Sequence, residues 1–389
     1  MSSLELFHSN FLACLFEEDP IAFLNCFRID NHTNRTNIVL AREYSLGTDV
    51  VNGKKKKFIT DIMVGIKMNN SKHTIKPLLI IENKIKSYPN NEQLQGQDKL
   101  VNKLNNECKK VILSMFPVLQ NVLNGTTFVE VKYSTLVNQI RQFYLRNSAS
   151  SFSGYINDYC DMLDGLTNCL QKYTNIPQSL KQKKFLFPLL FNDLQEISFI
   201  DVFRKYQASM LYYDAMKCMK QNGLCQLYGD NAMSNKHAIA SFFQTIIQGK
   251  IGVPDLSVGV QIEDNQFRIV FFGNKIRNII KDHKKSIVNI LPVIPDIWNY
   301  WFGNGIKGNA RKCINGSHNN FCSYSDDFIY RYVNIFDDIE TINKNQHSDI
   351  TFEQLITTGW GKTSKNGETL SIEHVMTYFN TIIPQLSNL

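Results

Sequence analysis

Asp61, Glu82 and Lys84 are the residues of this chain whose types and spacing could do chemistry. Glu82 and Lys84 close the apolar run Leu78-Leu79-Ile80-Ile81 in "LLIIENKIK". Side chains alternate across a strand, so an acid and an ammonium two residues apart point to the same face. Buried strands ordinarily end in Gly, Asn or Pro, and a charged pair in that place asks for a reason. Asp61 opens the apolar part of the preceding strand, "DIMVGI". Two carboxylates on adjacent strands can hold a hard divalent cation, with the backbone carbonyl of Asn83 as a further oxygen ligand. A lysine beside such an ion can orient or deprotonate a water, while the ion lowers that water's pKa and neutralises a phosphate oxygen. Together these groups suit phosphodiester hydrolysis. The plainer alternative is an edge hairpin with a surface aspartate and a cross-strand Glu–Lys pair. The spacing Asp-x20-Glu-x-Lys does not by itself separate the two.

The elements that must position these groups are legible on either side. "SSLELFHSNFLACLF" carries Leu4, Phe7, Phe11, Leu12 and Leu15 at helical spacing. "TNIVLAREYSLG" (36–47) is strand-like and stops at Gly47; the loop "GKKKK" leads into the strand "FITDIMVGIKM". After the polar "NNSKHTIKP" comes the second arm of an antiparallel hairpin, which ends in Glu82 and Lys84. "NEQLQGQDKLVNKLNNE" (91–107) predicts a helix starting at Pro89-Asn90-Asn91, with Leu94, Leu100 and Leu104 as its apolar stripe. "KKVILSMF" and "TTFVEVKY" are strands, and "STLVNQIRQFYL" a helix capped by Ser134. Helix, three strands, helix, strand, strand and helix make an α/β unit with a mixed sheet.

In this order the elements resemble the PD-(D/E)xK nuclease superfamily, in a bacterial branch that reads "IENK" at the metal strand. The resemblance covers residues 1–146. Glu5, followed by His8-Ser9, is similar to the family's first-helix acid, and Glu43 to an acid of the first strand. Asp61 stands at the first metal carboxylate, preceded by Thr60 rather than Pro, and Glu82 and Lys84 complete the signature. Gln93 matches a helix position where related exonuclease domains carry Gln followed by Tyr; the residue four on is Gln97, so the tyrosine is missing. The resemblance implies a restriction-endonuclease-like core and a Mg²⁺-dependent nuclease, with Mn²⁺ as a substitute ion. Asp61, Glu82, Lys84, Glu5 and Gln93 would be its catalytic residues, and Asp61, Glu82, Asn83, Glu5 and Glu43 its metal shell. Each supporting residue has a bland counterpart: a first-turn acid for Glu5, a solvated strand position for Glu43, an exposed helix position for Gln93. Lys54, Lys55, Lys56 and Lys57 precede Asp61 and could anchor phosphates, or form a solvated loop.

Residues 147–389 read differently. The Ser-rich 147–154 marks the boundary, 155–248 reads as mostly helical (including "NKHAIASFFQTIIQG"), and a β pair follows at 254–275. The expected second domain is thus a largely helical accessory region containing a small β unit, serving substrate binding, regulation or dimerisation. "TDIMVGI…LLIIENKIKS" and "PDLSVGV…RIVFFGNKIRN" share Asp61/Asp255 and Lys84/Lys275, but Gly273 faces Glu82. Coincidence is favoured over duplication there; a catalytic second hairpin would need Glu263 or Asp264. "IWNYWFG" could stack on bases, though core packing is the commoner use, and "NKIRNIIKDHKK" could form a basic stripe.

Composition bounds the rest. The 389 residues are 43% hydrophobic and 20% charged, so the chain is globular rather than disordered. The formal charge of +7 is compatible with a polyanion and equally with a lysine-rich solvated face. The nine cysteines are scattered singly, which speaks against a zinc site or a disulfide framework and for a reducing, cytoplasmic setting. No signal peptide or membrane-length apolar run is seen. The expectation is a nuclease acting on nucleic acid, DNA rather than RNA, in restriction or anti-phage defence. A homodimer, and a regulatory partner or ligand at the carboxy-terminal region, are further expectations. The alternative is a catalytically silent nucleic-acid-binding or sensing protein on the same scaffold.

Overall fold

The computed structural model describes residues 3–29, 37–51, 53–68, 75–85, 87–145, 152–174, 179, 181, 200–224, 227–234, 237–247, 256–263, 266–273, 322–325, 328–334 and 371–381. The chain divides into two compact units, Met1–Lys172 and Tyr173–Leu389. The first extends past residue 146 because the helix after the Ser-rich stretch folds back on the first one.

That first unit is α/β. Helices α1 (Ser3–Glu18) and α2 (Pro20–Cys26) precede strands β1 (Ile38–Val51), β2 (Lys54–Lys67) and β3 (Ile75–Lys84). Helix α3 (Asn91–Leu104), strand β4 (Lys109–Ser114), the short α4 (Gln120–Leu123), strand β5 (Val129–Lys132) and α5 (Tyr133–Ile140) follow. A π-helical turn, Arg141–Leu145, leads on to α6 (Ser153–Thr174). The five strands lie in the order β1-β2-β3-β4-β5. β1, β2 and β3 are antiparallel neighbours, while β3, β4 and β5 are parallel. A parallel step needs a crossover; α3 supplies the one between β3 and β4.

Local chemistry explains the boundaries. Asn90 caps α3, its Oδ1 accepting from the N–H of Glu92 at 2.8 Å and of Gln93 at 3.3 Å. Asp19 does the same for α2, where Pro20 stands at the first position. Helix α5 begins at Tyr133, ahead of the expected Ser134, and Lys132 at its cap makes no side-chain capping bond. The core between α3 and the sheet packs Phe58, Met63, Ile80, Leu94, Val101 and Ile112. Gly96 lets the helix approach: a Cβ there would lie 2.1 Å from Phe58 Cε1.

Two expectations about β1 and β2 are corrected. β1 continues past Gly47 to Val51, with a register shift between Ser45 and Gly47, and β2 starts at Lys54. Lys54–Lys57 are therefore strand residues paired with Val51–Thr48, not a loop. The sequence Asn52-Gly53 is a tight-turn signal, and Gly53 has φ 74°.

The second unit has α7 (Ile200–Gln221), packed on the strands β6 (Tyr228–Ser234) and β7 (His237–Ile247). β8 (Leu256–Glu263), β9 (Gln266–Gly273), β10 (Cys322–Ser325) and β11 (Phe328–Asn334) complete an antiparallel sheet of order β10-β11-β9-β8-β7-β6. α8 (Ile372–Thr381) meets α7 where Cys218 Sγ lies 3.5 Å from Met376 Sδ. The helical expectation is wrong for 237–247, which form β7. Ile239, Phe242, Phe243, Ile246 and Ile247 suit helical spacing on paper, but β-branched and aromatic residues pack well on a pleated surface, and β6 and β8 pair with this stretch on both sides. The small β unit is accordingly a sheet of six strands. Its β8–β9 hairpin continues antiparallel into β11, whereas the β2–β3 hairpin continues parallel into β4. That difference favours coincidence for the shared motif. Glu263 is buried in an ion pair with Arg268, whose guanidinium also bonds Gln261 and lies 4.6 Å over the Tyr330 ring. Asp264, "IWNYWFG" and "NKIRNIIKDHKK" lie outside the described residues.

Candidate functional site

The site forms where β2 and β3 part. Their ladder runs from Lys67↔Ile75 to Ile62↔Ile81 and stops there. The next residues, Asp61 and Glu82, would face each other. Beyond the last pair, β2 side chains replace backbone bonds. Thr60 Oγ1 donates to the Ile81 carbonyl at 3.1 Å, and Asp61 Oδ2 accepts the Asn83 N–H at 2.6 Å. The buried Thr60 hydroxyl thus spans the junction.

Glu82 is buried, its side chain 3% exposed. Its Oε1 accepts from Lys84 Nζ at 2.7 Å and from Gln93 Nε2 at 2.7 Å; its Oε2 accepts from Gln97 Nε2 at 2.8 Å. A buried carboxylate is costly without such donors, and here three of about four lone-pair sites are taken. The i, i+4 spacing of Gln93 and Gln97 on α3 puts both amides on the same helix face. Gln97 is fully buried, and its Nε2 also donates to the Ile59 carbonyl at 2.7 Å. Both neighbours of that nitrogen are acceptors, so the amide cannot be reversed. Its Oε1 is then left buried and without a hydrogen-bond partner.

Asn83, on the opposite face of β3, is held by α1 and α5. Tyr133 Oη donates to its Oδ1 at 2.6 Å, and its Nδ2 donates to Ser9 Oγ at 3.3 Å. Tyr133 also meets the His8 ring edge-on, with centroids 5.3 Å apart. His8 Nδ1 and the Tyr159 hydroxyl are hydrogen-bonded at 2.9 Å, and Tyr159 stacks on Phe11 at 3.7 Å. Burial holds the His8 imidazole down to about 4, so it is neutral, and pushes the Tyr159 hydroxyl above its ordinary range. Helices α1, α5 and α6 thereby buttress the strand that carries Glu82 and Lys84.

The structure brings Glu82, Lys84 and Gln93 together and ties Asp61 to Asn83. It does not add Glu43. That residue is exposed on edge strand β1, in the register position across from Asp61 (between Arg42↔Ile62 and Tyr44↔Thr60), with a left-handed φ of 48°. Such backbone in a non-glycine residue is costly and clusters at functional sites. Among the described residues no three acids, histidines or cysteines gather into a metal-binding group. Glu5 lies in α1, and its side chain is outside the described set. The lysine run is exposed, and Lys56 pairs with Glu92 at 2.6 Å. Sequence reasoning names Thr60 and Gln97 without these roles and does not reach Tyr133. Gln97 carries a signal all the same: it interrupts the apolar stripe between Leu94 and Val101, as a buried polar residue must.

The donor set present fits a hard cation. It offers the carboxylate oxygens of Asp61 and Glu82, and the orphaned Gln97 Oε1 is the kind of acceptor that an ion's water satisfies. No helix of the described residues is long and apolar enough to cross a membrane. Comparison with protein-family models, with curated proteins and with solved structures finds no match to this chain.

Proposed function

We propose that the chain is a metal-dependent nuclease on a restriction-endonuclease-like core, hydrolysing phosphodiester bonds of DNA, in a setting of restriction or anti-phage defence. The observation that carries this reading is the paired Glu82 and Lys84 at the point where β2 and β3 part, with Asp61 across the gap. Asp61 and Glu82 would hold Mg²⁺, or Mn²⁺, with the Asn83 carbonyl. The ion, when bound, would supply Lewis acidity to a water and to a phosphate oxygen. Gln93 and Gln97 fix the rotamer of Glu82, and the Asn83 N–H fixes that of Asp61. Lys84, an ammonium beside Glu82, orients the attacking water and offsets charge that builds on the phosphorus oxygens. Glu5 and Glu43 remain outer candidates for the shell.

The competing reading is a catalytically silent scaffold that binds or senses nucleic acid. On its side stands the absence, among the described residues, of a third acid beside Asp61 and Glu82. Incubating purified protein with plasmid and single-stranded DNA under Mg²⁺, Mn²⁺ or EDTA separates them. Metal-dependent cutting that disappears in Asp61→Ala and Glu82→Ala is expected. Variants that cut like the parent overturn the assignment of the site, and binding without cutting under any metal supports the silent scaffold.

A further inference from the structure

Residue 83 turns its backbone to the site and its side chain to the helices. Successive residues of a strand direct their N–H and C=O groups alternately to its two edges. On β3 the Ile81 carbonyl is directed to β2, where it accepts from Thr60. The Lys84 carbonyl is directed to the β4 side, where it accepts from the Met115 N–H at 3.4 Å. Asn83 therefore directs both its N–H and its C=O toward β2, and the N–H is the group that Asp61 Oδ2 accepts. The Asp61 carboxylate and the Asn83 carbonyl, two of the groups proposed to hold an ion, thus both take their places from where residue 83 lies.

That residue lies past the end of the β2–β3 ladder. Along its other edge β4 pairs with it, Asn83 against Leu113. On the face away from Glu82 and Lys84 its side chain is bonded to two helices. Tyr133 Oη donates to Oδ1 at 2.6 Å and Nδ2 donates to Ser9 Oγ at 3.3 Å, all three residues being buried. A buried amide is costly unless its two ends are bonded, whereas an aliphatic side chain would fill the same place without partners. What the amide adds is direction: a satisfied buried polar network fixes one arrangement of the elements that share it. Tyr133 is itself well fixed. It follows Lys132, the last residue of β5, with no loop between strand and helix, and its ring meets His8 edge-on.

We propose that Tyr133 is a positioning residue for the site: its hydroxyl, bonded to the Asn83 side chain with Ser9 as the lesser anchor, sets the strand end from which the Asp61 carboxylate and the Asn83 carbonyl face an ion. The inference rests on the metal-dependent reading above. It gives Tyr133 no contact with ion or substrate; the hydroxyl acts across the strand, from the face that Glu82 and Lys84 do not occupy.

The test measures Mn²⁺ binding by electron paramagnetic resonance on the full chain without nucleic acid, counting the binding that Glu82→Ala abolishes. Tyr133→Phe keeps the ring against His8 and removes only the hydroxyl. It should raise the Kd for Mn²⁺ about tenfold, the low end of what losing a ligand-orienting partner costs. Ser9→Ala, which loses the longer bond, should raise it about threefold. In Tyr133→Phe the Mg²⁺ concentration for half-maximal cleavage should rise by the same factor, with the rate at saturating Mg²⁺ within about threefold of the parent. Tyr144→Phe is the control for a merely structural hydroxyl. That hydroxyl is also buried but bonds the Leu15 and Asp19 carbonyls; its loss should lower the urea midpoint and leave the Kd for Mn²⁺ unchanged. An unchanged Kd in Tyr133→Phe, or an equal rise in Tyr144→Phe, overturns the proposal and leaves the nuclease. Mn²⁺ binding that depends on Tyr133 in a protein that cuts nothing supports the positioning and overturns the nuclease. A parent that binds no Mn²⁺ overturns the metal-dependent reading, and the proposal with it.

Discussion

Replacing Gln97 with leucine removes a side chain that holds the site together and gives a free energy that can be worked in advance. The amide donates to a buried carboxylate at 2.8 Å and to the Ile59 carbonyl at 2.7 Å. Loss of the charged bond costs about 1.5–3 kcal/mol, and an unpaired Ile59 carbonyl about 1–3 kcal/mol more. The variant also abolishes the buried, unpartnered Oε1, which returns about 1–2 kcal/mol. Net destabilisation should be about 0.5–5 kcal/mol, centred on about 3 kcal/mol, by urea denaturation. A cycle with Glu82→Ala isolates the pair, because whatever the loss of Glu82 does to Lys84 is common to both corners that lack Glu82 and cancels; the coupling should be about 1.5–3 kcal/mol. Cleavage at saturating Mg²⁺ should fall about 10–100-fold, the usual effect of losing a residue that orients a ligand. Coupling under about 0.5 kcal/mol would refute the reasoning, since it would mean that Glu82 is equally well held without Gln97.

Gly96→Ala should cost about 1–2 kcal/mol, the overpacking against Phe58 outweighing a helix-propensity gain of about 1 kcal/mol; a Phe58→Leu change in that background should restore part of the loss in thermal melts. His8 gives a pH dependence. Its imidazole sits at about 4 when folded against 6.5 unfolded, so the unfolded chain binds the extra proton between those values. The contribution is complete above pH 6.5 and is lost as pH falls toward 4, amounting to about 3 kcal/mol. Urea midpoints across that window should be flatter in His8→Gln, and an unchanged slope would show that another group is responsible.

The centre of the site is readable in the sequence because its residues sit on elements with strong local signals. A run of four aliphatics ending in Glu82 and Lys84 fixes which face they share, and Asn90 at the head of α3 fixes the helix phase that brings Gln93 to Glu82. Gln97 reads as a missing tyrosine, although its place inside an apolar stripe marks it as buried. Thr60 and Asp61 give no hint of replacing ladder bonds, since the divergence of two strands is a tertiary event. The lysine run reads as a loop because charge looks solvated whether or not the backbone is paired. Residues 237–247 mislead because apolar spacing in a short run suits either period, and neighbours in the sheet decide.

Asp61 has two employments, and they set different demands on heredity. As a candidate ligand it must carry charge; as the acceptor for the Asn83 N–H it must only carry an oxygen in the right place. A homologue without the charge would still be under selection to keep that oxygen, because an orphaned N–H would loosen the seam between the strands. Drift at this position would then run toward asparagine or serine and stop. Lys84 sits at the other extreme: its role is tied to the charge of Glu82, which it meets at 2.7 Å. Among homologues, a neutral oxygen at 61 beside changed residues at 82 and 84 would separate the seam's demand from the proposed site's.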